Sequence, residues 1–462
     1  MTKLYVSRVV SLARVNASVL DLMKKVVIIG AAGRDFHNFN IIYRNNPDYQ
    51  VVAFTATQIP GIEGRTYPPI LSGPRYPKGI PIYAEKELAR IIQENKVDLA
   101  VLAYSDLSYN ELMHKASITL TAGADFQLHG PRSTMLRSKL PVVSVGAVRT
   151  GAGKSTVSRR VCQILREKHR KVGVIRHPMP YGDLTDEVAQ RFSSYEDLDR
   201  YNCSIEEREE YEPHIDAGFT VYAGVDYQKV LDMAEKESDI IVWDGGNNDI
   251  PFIQPDLHIA VMDPLRAGDE LTHYPSEVNI RMANVIVINK VDTAEPRNVD
   301  LVESDAKQLA PSAVVVKAAS EIKLDHPDMI KGKRVLVVED GPTVTHGDMP
   351  YGVGYVAAKR FGAKEIVDPR PYAVGIVKEI FKKYTHLTQV LPTVGYGNQQ
   401  IRDMEETIRK ADCDTVVLAT PADIRRILKI SKPTVRVSYY LKELTKPDIE
   451  DILISRKIIQ AN

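Results

Sequence analysis

The chain has 462 residues, enough for roughly three domains with ample core. Sixty Lys and Arg balance sixty Asp and Glu, a formal net charge of zero that gives no sign of a nucleic-acid polyanion as bulk partner. The three cysteines, Cys162, Cys203 and Cys413, are odd in number and widely spaced, which argues against a disulfide framework or zinc knuckle and for a reducing, cytoplasmic setting.

No apolar run approaches the ~18 residues of a membrane span. Residues 1–22 carry arginines and almost no acid, superficially like a transit peptide. Met23-Lys24-Lys25 stands directly before a strong strand, as a natural chain start would, so 1–22 reads as an N-terminal extension without chemistry.

Residues 23–138 alternate strand and helix: a strand over 26–29, the turn Gly30-Ala31-Ala32-Gly33, a helix, then strands over 51–55 and 98–103. The pattern predicts a Rossmann-like, doubly wound unit. Its turn is GxxG and its second strand ends Thr55-Ala56-Thr57 without a ribose-binding carboxylate, which argues against NAD(P). Open α/β sheets bind ligands at strand C-termini. Arg34, His37, Arg65 and Arg75 in the following loops therefore become candidates for a small phosphorylated or carboxylated substrate.

Residues 139–330 predict a P-loop NTPase domain. The apolar run over 141–145 breaks into Gly151, Ala152, Gly153, Lys154, Ser155 and Thr156, followed by an amphipathic stretch with Val157, Val161, Ile164 and Leu165. Such glycines let backbone N–H groups converge on phosphate oxygens while the helix behind points its positive end there. Where the usual loop has its first glycine this one has Val148, and Arg149 takes the place of a second lysine. The loop thus resembles variants found in signal-recognition GTPases, septum-site ATPases and dethiobiotin synthetase. Arg149 is a candidate for neutralising charge in its own site or across a homodimer interface.

Three further segments complete the expected nucleotide site. The strand over 239–244 ends in Asp244, the expected partner of Mg²⁺ with Ser155 as the other protein ligand. Asn289, Lys290 and Asp292 form Asn-Lys-x-Asp after a strand, and such a carboxylate accepts from guanine N1–H and N2–H₂. The run 314–320 is either a base-contacting loop or a strand end. Arg176, His177 and Asp183 occupy a proline-rich loop where the γ-phosphate should lie, and Asp263 and Arg266 end another strand at the same edge. The acidic run 206–212 reads as a solvated helix face, Glu212 its least ordinary member.

Residues 331–462 restart the pattern as a C-terminal α/β unit or an extension of the central sheet. His346 is its one histidine singled out for test.

Across these domains GAAGRDFHNFN, GAVRTGAGKST, RHPMPYGDL, VWDGGNND, INKVD and EDGPTVTHGDMPYG occur in an order that resembles the archaeal and bacterial proteins called cyclic 2,3-diphosphoglycerate synthetase-like, or predicted GTPases. The resemblance spans the chain from Met23. It implies ATP-driven closure of a phosphoanhydride within 2,3-diphosphoglycerate, releasing ADP and phosphate. Lys154, Ser155, Asp244 and Mg²⁺ would then hold the donor, Arg149 and His177 would act on the transferring group, and the arginine-bearing loops would hold the acceptor. The Asn-Lys-x-Asp motif favours GTP where the named reaction uses ATP. A regulatory or delivery GTPase acting on a protein partner is the rival reading; the absence of a Cys/His cluster weakens metal delivery.

Overall fold

The computed structural model describes residues 23–56, 62–177, 179, 182–246, 248–345, 347–393 and 398–460. The extension over 1–22 and His346 lie outside them, as do Thr57, Pro178, Pro180, Tyr181 and Asn247. The architecture is mixed α/β, dominated by parallel strands.

The first sheet runs, in spatial order, Thr66–Tyr67, Ile80–Ala84, Tyr49–Ala56, Lys24–Ile29, Leu99–Leu102, Asp125–Leu128. All pairs are parallel except Thr66–Tyr67 with Ile80–Ala84. The chain winds outward in one direction from Lys24–Ile29, then in the other. Its switch point lies between Lys24–Ile29 and Leu99–Leu102, where the doubly wound pattern places a crevice.

The second sheet has thirteen strands and is built in two halves. The first half runs Gln190–Phe192, Thr220–Ala223, Val172–Arg176, Ile240–Asp244, Val142–Ala147, Leu257–Met262, Val285–Ile288, Val314–Leu324. The second continues Thr434–Glu443, Thr415–Ala419, Arg334–Glu339, Glu365–Ile366, with Leu391–Pro392 also on Arg334–Glu339. The C-terminal residues thus extend the central sheet, and the run 314–320 is strand throughout.

The seam between the halves explains where the site lies. Val314–Leu324 pairs in parallel with Val285–Ile288 through residues 314–317, then antiparallel with Thr434–Glu443 through 318–324. Thr434–Glu443 in turn pairs in parallel with Thr415–Ala419 through 434–436. The second half is therefore both reversed and displaced along the strands, and the C-terminal edges of the two halves face each other.

The phosphate-loop helix, Lys154–Glu167, buries Val157, Val161, Ile164 and Leu165 completely. Each such side chain contributes roughly 1.5–3 kcal/mol over exposure. The same core takes in Leu441, Ile449, Ile452, Leu453 and Ile459, so the end of the chain packs against the phosphate-loop helix rather than with the strands around Arg334–Glu339. No helix among the described residues is long and apolar enough to cross a membrane.

Candidate active site

Strand Val142–Ala147 is wholly buried and leads into a loop whose Gly151 and Gly153 adopt φ of +83° and +101°. A Cβ at Gly153 would stand 2.1 Å from Asn289 Nδ2. Position 153 thus requires glycine for both conformation and space. Asn289 Nδ2 donates to the Ala152 carbonyl (3.0 Å), and Lys290 Nζ donates to the Gly151 carbonyl (2.7 Å) and pairs with Asp263 (2.8 Å). The Asn-Lys pair therefore clamps the phosphate loop from beneath.

Lys154 opens the helix and stands 2.8 Å from Asp244 Oδ1. Asp244 Oδ2 lies 2.5 Å from Arg176 Nη1 and accepts from His214 Nε2 at 2.9 Å. All four side chains are buried. Burial alone would raise the Asp244 carboxyl, but Arg176, Lys154 and His214 hold it well below the usual range. Burial pulls the Lys154 ammonium down to about 8, with Asp244 opposing the fall. Arg176 also contacts Glu210.

Lys154, Arg176 and Glu210 border a cavity of about 310 Å³ between the two facing edges, with Asp244 and His214 buried behind them. From the first half it takes the loop residues Gly151, Gly153, Lys154, Ser155 and Thr156, with Arg176, His177 and Gly246; from the second, Glu339, Asp340, Thr343 and Ala419. The first sheet adds Ala32 and Asp106 from the two loops at its switch point. Its apolar side includes Ile322, Val353, Val356 and Tyr439.

The acidic run expected on a solvated face is instead inside. Helix Ile205–Asp216 buries Glu206, Glu207, Arg208, Glu209 and Glu212, and Glu206, Glu209 and Glu210 line the cavity. The helix is packed between strand ends on several sides, which local charge density cannot reveal. His214 was missed too. Its signal was the spacing of Glu206, Glu210 and His214, which at i, i+4, i+8 share one helical face.

The other sequence candidates divide. His177 lines the cavity, with Nδ1 2.9 Å from Asp249 Oδ2. Arg149 also lines it, but is committed to carboxylates: Nε donates to Asp106 (2.7 Å) and Nη1 to Asp269 (2.7 Å), with His273 Nε2 2.8 Å away. It holds the first sheet to the phosphate loop. Arg266 stands behind the loop, donating to the carbonyls of Gly347 (2.7 Å) and Thr150 (2.8 Å). Arg34 and His37 are buried where the first sheet meets the second. The Arg34 guanidinium lies 4.6 Å over the Phe252 ring and donates to the Ile250 carbonyl. His37 stacks on Phe252 at 4.5 Å and donates from Nε2 to the Thr134 carbonyl at 2.6 Å. Arg65 donates to the Gly182 carbonyl. Arg75 donates to the Tyr49 carbonyl (3.1 Å) at the opposite, N-terminal end of its neighbouring strand. Arg34, His37, Arg65, Arg75 and Arg266 thus bind protein rather than border the cavity, because each has a carbonyl or ring to satisfy it locally.

Asp292 likewise stands outside the cavity wall. Its Oδ1 accepts from Ser320 N (3.2 Å) and its Oδ2 from Arg360 (3.4 Å).

No family model matches the chain. It is 60% identical over 430 residues to a curated protein of Thermococcus kodakarensis described as arginine synthetase ArcE, covering 93% of this chain and 96% of that one. The chain belongs to the ArcE family. Among solved structures, LpxK of Aquifex aeolicus in complex with ATP is 12% identical, with a TM-score of 0.42 over 70% of this chain and 90% of that one. A cobyrinic acid a,c-diamide synthase of Mycobacterium smegmatis, with an ATP analogue and magnesium, is 17% identical with a TM-score of 0.19, over 39% and 72%. Those two likenesses are too slight to bear on the fold or the chemistry of this ArcE-family chain.

Proposed function

We propose that this protein is a Mg-ATP-dependent synthetase that completes a guanidino group, with arginine as product. The observation that carries the reading is a cavity in which Lys154 and the phosphate loop face carboxylates from the opposite strand ends. The name of the 60%-identical relative supplies the product.

Arginine differs from a ureido amino acid by one nitrogen in place of oxygen. A nucleotide held at Lys154 would pass its γ-phosphoryl group to the ureido oxygen: a P–O bond to the acceptor forms as the bond to the β-phosphate oxygen breaks, and ADP leaves. An amine then attacks the ureido carbon, the C–N bond forms, the C–O bond breaks, and phosphate departs with that oxygen. Protons shed by the nitrogen pass to solvent or neighbouring carboxylates. Lys154 stabilises charge on the transferring group, and Arg176 supports it from the same buried cluster. Ser155, on the cavity wall, would hold magnesium carried on the nucleotide phosphates, with Asp244, kept anionic behind Lys154, in support, and the ion would neutralise phosphate charge. ATP is preferred to GTP in this reading because Asp292 already spends both oxygens on Ser320 and Arg360.

Closure of cyclic 2,3-diphosphoglycerate, supported by the motif order, is the second reading. It shares the first transfer but brings a polyanion against Glu206, Glu209 and Asp340, which would repel it. A regulatory GTPase stands third, on Asn-Lys-x-Asp alone.

The test incubates the protein with Mg-ATP, L-citrulline and ammonium chloride, expecting arginine, ADP and phosphate in equal amounts. A parallel reaction with 2,3-diphosphoglycerate, followed by phosphorus NMR, examines the second reading. Cyclic product there with no arginine in the first would overturn the proposal.

A further inference from the structure

Two acids of the cavity wall, Glu209 and Asp340, take no part in the phosphate handling described above. Three of the other acids on its wall are held by protein groups. Glu339 accepts from Gly352 N (3.1 Å), Gly354 N (3.2 Å) and Tyr355 N (2.8 Å), fixing the start of helix Val353–Arg360. Glu210 contacts Arg176. Asp106 is tied to Arg149.

Glu209 and Asp340 differ. Glu209 is 4% exposed, lines the cavity and accepts from Thr393 Oγ1 at 2.8 Å through Oε1. Among the described residues no donor reaches its Oε2. Asp340 accepts from Thr343 Oγ1 and borders the same cavity. Glu209 and Asp340 lie within hydrogen-bond reach of one another, and burial and Asp340 together push the Glu209 carboxyl well above the usual range. An acid wall facing phosphates held at the loop is electrostatically unfavourable until something positive lies between. Among the described residues no group of three or more His, Cys, Asp or Glu is placed to hold a metal ion. A planar organic cation with several N–H donors can serve two carboxylates at once.

We propose that Glu209 and Asp340 form a subsite for a guanidinium group, the cationic end of the product, in the same cavity as the phosphate loop. The assignment rests on the synthetase reading for its ligand class. Thr343 joins the two ends of this arrangement. It donates to Asp340, and its methyl group is what a Cβ at Gly151 would meet at 3.0 Å. The subsite is thereby held against the phosphate loop.

The experiment uses the full-length protein and methylguanidinium as probe, with methylurea, its neutral counterpart, as control. Calorimetric titration is run on the wild type, Glu209→Gln and Asp340→Asn, alongside the arginine-forming assay. Glu209→Gln is expected to fold, since the amide oxygen can still accept from Thr393 and the NH₂ group can donate to Asp340; thermal melting checks this. The expected result is methylguanidinium binding at least tenfold weaker in either variant, with methylurea unaffected. Equal methylguanidinium affinity in the wild type and both variants overturns the subsite, whatever the turnover. So does replacement of methylguanidinium by Mg²⁺ at the same residues. Glu209-dependent methylguanidinium binding in a protein that forms no arginine would leave the subsite standing and remove the synthetase reading.

Discussion

The two switch-point regions make a controlled pair. In both sheets parallel strands end in loops rich in arginine, histidine and aspartate, yet the first gives the cavity only Ala32 and Asp106 while the second builds most of its wall. At the first sheet Arg34 and His37 are packed against Phe252, with Tyr227 edge-on to His37, and their polar atoms reach the carbonyls of Ile250 and Thr134. At the second, Lys154 and Arg176 face a cavity, because the strands opposite them run the other way and stop short. A cation at a strand end becomes a site only where its neighbours are glycines and facing edges; large aromatics convert the same chemistry into glue.

The sharpest way to break the comparison is to remove one cation from each region. Lys154→Ala should cost at least ~10²-fold in kcat with Mg-ATP, since the group that meets the transferring phosphoryl is lost. Folding should persist because Arg176 and His214 still neutralise Asp244. Steady-state turnover and a melting curve check both halves, and undiminished turnover would remove Lys154 from the chemistry. Arg34→Met should do the reverse. It strips Asp249 and the Ile250 carbonyl of a buried partner, at a cost of roughly 3–5 kcal/mol. A denaturant titration reads that loss, while kcat of the folded protein stays within a few-fold of wild type. If kcat falls and stability does not, Arg34 touches substrate after all.

Much of the second region was legible from the chain alone, because its signals are local. Gly151 to Thr156 between strand and amphipathic helix, and Asp244 at the end of an apolar run, need no knowledge of distant residues. The opposing wall was not legible. Glu206 and Glu209 belong to a run whose charge density suggests solvent, and their burial depends on strands more than a hundred residues away. The same holds for Arg75, which lies at the wrong end of its sheet, and for the reversal at Val314–Leu324, which no periodicity announces.

A pH titration sharpens the comparison by a smaller effect. Burial lowers His37 to about 3, Arg34 adding to the fall, and lowers His258 to about 4. A folded pKa below the unfolded value near 6.5 means the unfolded chain takes the proton first. Stability supplied by neutral His37 is present above pH 6.5 and is lost as pH falls toward 3. By pH 4 the loss from His37 alone is about 3 kcal/mol. Asp35, raised to about 7 by burial, works against this over the same range, so the clean readout is a difference between proteins. His37→Asn should start less stable at pH 7 and lose less on going to pH 4, measured by denaturant midpoints at both values. Parallel pH profiles would mean that His37 is not the neutral, packed imidazole described.

The smallest expected effect lies within one motif. Asn289 and Lys290 clamp the phosphate loop, whereas Asp292, two residues on, joins Ser320 to Arg360 at the edge of the seam. In a guanine site its oxygens would instead meet the base, and Asp292→Asn would shift the preference between GTP and ATP by orders of magnitude, because an amide offers a donor where guanine N1–H needs an acceptor. Here the exchange replaces a half-exposed ion pair with a neutral contact, an effect of at most ~1 kcal/mol. The ratio of kcat/KM for ATP to that for GTP should therefore move by less than about fivefold. A large shift would assign Asp292 to the base, and the clamp and the base contact would then be one motif as they are in a GTPase.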